Sequence, residues 1–73
     1  MAPLTGRQAE VLQAITVLTV QQGYPPTVRE LCDHVGLSST QTMQQHLNAL
    51  ERKGAITREP MKTRTVRVVR SAA

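Results

Sequence analysis

Apolar residues along the first two thirds of the chain recur at helical spacing, between clear start and stop signals. Val11, Leu12, Ile15 and Leu18 form one stripe, with Val17 and Val20 lying off it. Val28, Leu31 and Val35 form a second apolar face, and Met43, Leu47 and Leu50 a third. The segment Thr5-Gly6-Arg7-Gln8 has the form of a capping box, in which the Thr hydroxyl accepts from the N–H three residues on and the Gln side chain reaches back. Thr27-Val28-Arg29-Glu30 repeats that form after Pro25-Pro26, which holds the chain extended. Ser38 or Ser39 starts a third element. Gly23, Gly36 and Gly54 follow the three periodic stretches, where a left-handed residue closes a helix. These signals predict helices at about 6–22, 28–35 and 39–53.

After Gly54 the period changes. Ala55-Ile56-Thr57-Arg58-Glu59 and Thr65-Val66-Arg67-Val68-Val69 partly alternate and are rich in β-branched residues. They predict a hairpin over about 55–69, joined through Pro60-Met61-Lys62-Thr63. Ile56, Val66 and Val68 are expected to lie against the helices, with Arg58, Lys62, Arg64 and Arg67 projecting toward solvent. The expected architecture is one mostly α domain over residues 1–73, three helices and a small β-hairpin. This is the plan of a winged helix-turn-helix, and Gly36-Leu37-Ser38 is short enough for its tight turn.

Charge sharpens the picture. Residues 1–51 carry Arg7 and Arg29 against Glu10, Glu30, Asp33 and Glu51, whereas residues 52–73 carry seven cations against Glu59 alone. A basic C-terminal third suits a polyanion, or is a solvated basic tail. The chain has one Cys, one Tyr and neither Phe nor Trp, so the core must be aliphatic and a disulfide within the chain is excluded. Cys32 is expected as a small buried core residue. The single thiol suits a reducing cytoplasm. No membrane association is expected.

In a helix-turn-helix the second helix of the motif enters the major groove with its N-terminal residues against base edges. Ser39, Thr40, Gln41, Thr42, Gln44 and Gln45 are the base-contacting candidates. Gln offers an amide that pairs with adenine N6 and N7, and a Thr methyl suits the thymine methyl. The same three Gln are also ordinary solvent-facing helix formers. Arg58, Lys62, Arg64 and Arg67 are expected to contact phosphates, which positions without specifying sequence. Arg52 and Lys53 either join them or simply favour the negative end of the third helix. Thr5, Arg7 and Thr27 are secondary phosphate candidates at helix N-termini, and Arg7 also reads as a plain surface arginine. His34, His46, Glu30 and Asp33 have no spacing suited to a metal or to paired acid–base work. No enzyme activity, cofactor, metal or small-molecule ligand is expected.

The stretches Leu4-Thr5-Gly6-Arg7-Gln8, Gly23-Tyr24-Pro25-Pro26-Thr27-Val28-Arg29-Glu30-Leu31, Val35-Gly36-Leu37-Ser38-Ser39 and His46-Leu47-Asn48-Ala49-Leu50-Glu51-Arg52-Lys53-Gly54 together resemble the N-terminal DNA-binding domain of LexA-type SOS repressors, from about residue 4 to residue 69. The resemblance implies a winged helix that binds a palindromic operator in double-stranded DNA as a homodimer and represses transcription. By position, it places Ser39, Gln41, Thr42, Gln44 and Gln45 on the operator. Many members of the family have acidic or small residues where this chain has Thr42, Gln44 and Gln45, so its operator is expected to differ. Such repressors also carry a self-cleaving peptidase domain that dimerises them. These 73 residues hold no Ser/Lys dyad and no Ala-Gly cleavage segment. The chain therefore reads either as a DNA-binding domain excised from a longer repressor or as a small stand-alone regulator. An interaction module that modulates a repressor or RNA polymerase, using Val17 and Val20 as an apolar patch, is the alternative from another class.

Overall fold

The computed structural model describes residues 4–59, 62 and 64–69. Three helices, α1 (Gly6–Gln22), α2 (Val28–Val35) and α3 (Thr40–Arg52), precede two short strands, β1 (Ile56–Thr57) and β2 (Arg67–Val68). The expected limits of the first two helices hold. Ser39 and Lys53, expected inside the third, are its N-cap and C-cap.

The caps explain these limits. Thr5 Oγ1 accepts from the Gln8 N–H at 3.1 Å, and Gln8 Oε1 accepts from the Thr5 N–H at 3.2 Å. Thr27 and Glu30 make the same reciprocal pair at 3.1 and 2.9 Å. Each box satisfies two N–H groups that a helix end would otherwise leave orphaned. Ser39 caps α3 by accepting from the Thr42 N–H at 3.2 Å. Between α2 and α3, Gly36 sits at φ +89°, and the N–H groups of Gly36 and Leu37 both reach Cys32 O. That left-handed residue reverses the chain without a Cβ penalty and brings Ser39 round to start the next helix.

All three helices and the hairpin share one core. Val11, Ala14 and Ile15 from α1, Leu31 and Cys32 from α2, Met43, Leu47 and Leu50 from α3, and Ile56 and Val66 from the hairpin are buried. On α1 the buried stripe runs through 11, 14 and 15, so Ala14 is central and Leu12 and Leu18 are half-buried flanks. Cys32 is buried as expected, its Sγ 3.7 Å from Ser39 O.

The hairpin differs from its expected form. β1 and β2 pair antiparallel with Ile56 opposite Val68 and Thr57 opposite Arg67, and the ladder goes no further toward the tip. Two features stop it. Arg64 takes a left-handed backbone, φ +56°. Thr65 Oγ1 accepts from the Glu59 N–H at 2.9 Å, so a side chain takes a donor the ladder would have used. Ile56 and Val66 are buried and Val68 half-buried against the helices. Of the connection through residues 60–63, only Lys62 lies within the described residues.

Candidate nucleic-acid interface

The outward face of α3 is polar and open. Thr40, Gln41, Gln44 and Gln45 are exposed, Thr42 is half-buried, and the exposed Ser39 stands at the cap. Directly behind them Met43, Leu47 and Leu50 lock the helix into the core. The helix is therefore a rigid rod presenting hydroxyls and amides, all capable of both donating and accepting hydrogen bonds. None of these six side chains carries a net charge.

The basic residues divide into two groups. Arg52, Lys62 and Arg67 are exposed, and among the described residues the Lys62 side chain makes one exposed 3.4 Å pair, with Glu59. Arg58 and Arg64, expected to project freely into solvent, instead lie back against other elements, Arg58 half-buried and Arg64 still exposed. Arg58 donates from Nε to Glu51 Oε1 at 3.1 Å and from Nη1 to Gln44 Oε1 at 3.0 Å, with Nη2 on Asn48 Oδ1. Arg64 forks onto Glu30 at 3.0 and 3.1 Å, reaches Pro25 O at 3.2 Å, and lies 4.7 Å from the Tyr24 ring centroid. A guanidinium with five fixed donors seeks such multiple acceptors; Arg58, directly after β1, and Arg64, three residues before β2, each come within reach of a carboxylate.

A groove of about 720 Å³ runs between α3, the start of α2 and the hairpin. Thr27, Gln44, Arg58, Lys62 and Arg64 all line it, so one predicted base reader and four predicted phosphate residues share a single concavity. Thr5, Arg7, Arg52, Lys53 and Arg67 lie outside it. Arg7 pairs with Glu10 at 3.0 Å on the exposed side of α1. Lys53 Nζ donates to Gln8 Oε1 at 2.6 Å, which ties the end of α3 to the capping box of α1. That contact gives Lys53 a structural task that sequence reading did not foresee. Sequence reading also missed Asn48 and Glu51. Their signal was the spacing 44, 48, 51 on one helix stripe, but the Arg that lies along it comes from a different element.

Glu30 holds α2 and the hairpin together. The Arg64 fork, followed by the Thr27 N–H, lowers its carboxyl pKa to about 2; partial desolvation opposes this, and Gln22 adds a further weak hydrogen bond. A carboxyl depressed on folding contributes stability that is complete above its unfolded pKa and disappears as pH falls through the folded one. The stability of the domain should therefore fall between about pH 4.5 and pH 2, as followed by helical circular dichroism in urea. Glu30→Gln, which keeps a capping side chain as Gln8 does in α1, should flatten that acid limb. An unchanged acid limb in the variant would remove Glu30 from the account.

Among the described residues, no group of His, Cys, Asp and Glu side chains is arranged to hold a metal ion, and no helix is long and apolar enough to cross a membrane. Comparison with known proteins gives a consistent result. The LexA DNA binding domain family matches residues 1–65. The LexA repressor of Sorangium cellulosum is 51% identical over 92% of this chain and 29% of its own length. Those of Caldicellulosiruptor saccharolyticus and Clostridium acetobutylicum are 47% and 46% identical, over 90% and 86% of this chain and 33% and 31% of their own lengths. The chain thus spans about a third of the repressors it matches.

Proposed function

The chain belongs to the LexA DNA-binding domain family, and from that premise we propose that it recognises a palindromic operator in duplex DNA, one copy per half-site, and represses the genes so marked in a DNA-damage response. The observation that carries this reading is the uncharged polar face of α3, backed by core residues and flanked by a basic hairpin. Gln41, Gln44 and Gln45, with Ser39, Thr40 and Thr42 beside them, would meet base edges in the major groove. Arg52, Lys62 and Arg67 would meet phosphates and set the register, with Thr5, Arg7 and Thr27 at the helix N-termini in support.

A single domain on one half-site should bind weakly, because the gain from a second half-site requires the two copies to be linked. The deciding measurement is a fluorescence anisotropy titration against duplexes selected from a random pool and against scrambled controls. The selected duplex should bind at least about tenfold more tightly at physiological salt. Equal affinities would refute sequence-specific binding.

A further inference from the structure

We propose, on the reading of α3 as the base-reading helix, that Arg58 is a positioning residue: it fixes which way round Gln44 offers its amide and so sets the base preferred at that position. A guanidinium has donors only. The Gln44 atom facing Nη1 at 3.0 Å must therefore be the carbonyl oxygen, and the same holds for Asn48 facing Nη2. Glu51, at 3.1 Å from Nε, balances the charge and anchors the third point of the fork. Positions 44, 48 and 51 follow one stripe of α3 at i, i+4 and i+7, so the planar group lies along the helix rather than standing off it. Only 18% of the Arg58 side chain is exposed, whereas Gln44 remains exposed.

The consequence concerns polarity. An unrestrained Gln can turn its amide either way and pair with adenine through a donor and an acceptor together. With its oxygen engaged by Arg58, Gln44 turns its amino group outward. That donor suits the acceptor edges of guanine (O6, N7) and thymine (O4), meets adenine at N7 alone and without the second bond to N6, and opposes the cytosine amino group. The amide is also ordered before DNA arrives, which lowers the cost of ordering it on binding. Gln41 and Gln45 make no side-chain hydrogen bond among the described residues and keep both orientations. The bidentate adenine contact expected of the three Gln thus belongs to those two and not to Gln44.

The test is selection from randomised duplexes with the wild-type chain and with Gln44→Ala, Arg58→Ala, Arg58→Lys and Gln44→Glu, followed by salt titrations on the selected duplex. Gln44→Ala should locate the position by erasing its preference. Arg58→Ala and Arg58→Lys should each reduce the guanine or thymine preference at that same position about tenfold and leave the others unchanged. Arg58→Lys keeps the charge but not the three-point fork, so it serves as the second variant should Arg58→Ala fail to fold. Gln44→Glu, which presents an acceptor, should convert the preference to cytosine. If Arg58→Ala instead weakens all duplexes equally, keeps the base profile and lowers the salt slope by about one, Arg58 is a phosphate contact and the proposal is overturned. A wild-type chain that enriches no sequence would sink the reading of α3 itself, which is a separate failure.

Discussion

Leu47→Ala is expected to destabilise the domain by about 2–5 kcal/mol. Leu47 is 1% exposed and sits on the inner side of α3, one turn beyond Met43 and one before Leu50. Around it the core is built from aliphatic side chains and one Cys, with no aromatic ring to shift into a vacancy. A chain of this length has about 4–11 kcal/mol of total stability at typical values per residue. Truncation at Leu47 therefore removes a large share of it, and at the upper end unfolds the domain. Urea denaturation followed by circular dichroism measures the loss as a lower midpoint at unchanged slope. A loss below about 1 kcal/mol would mean that the helices close around the cavity, and that α3 is less firmly seated than its burial indicates. DNA affinity should fall in step with the folded fraction, because Leu47 lies behind the polar face and touches no DNA in the proposed docking.

How much of this was legible in the residues depends on the range of the interaction. Thr5 with Gln8 and Thr27 with Glu30 are three apart in sequence, and both boxes form as their spacing predicts. Met43, Leu47 and Leu50 are likewise set by one helical period, and all three are buried. Ala14 was passed over because a single methyl gives little hydropathic signal, although 11, 14 and 15 make the better stripe. The paired strands are shorter than the alternation predicts, since the Thr65 hydroxyl that intercepts the Glu59 N–H looks in sequence like any β-branched strand residue. Arg58 and Arg64 looked free for the same reason. Their partners, Gln44, Asn48, Glu51, Glu30 and Tyr24, lie on other elements, 7 to 40 residues away. Long-range polar contacts leave no period in a sequence. The polar face of α3 was legible, but the polarity of one amide on it was not.

Raising salt from 50 to 200 mM should weaken binding of one domain to a half-site by about 40-fold, the result of about three phosphate contacts at a slope of 0.9 per contact. The count follows from how the cations are held. Arg52, Lys62 and Arg67 are exposed, and the exposed Lys62–Glu59 pair is of the kind worth about 0–1 kcal/mol, so a phosphate readily takes its place. Arg58 and Arg64 are different. Each is held by a carboxylate and by two or more further contacts, and leaving these for a phosphate would strand Glu51 or Glu30 beside the DNA. They should add little to the slope although they line the same groove as Lys62. Arg67→Ala should lower the slope by about one, and Arg64→Ala should leave it nearly unchanged while loosening the hairpin. A slope close to zero would contradict the assignment of the hairpin to the DNA backbone. A slope of about five contacts instead of about three would show that the Glu30 and Glu51 clasps open on DNA, which makes those carboxylates part of the energetics of binding rather than of the fold alone.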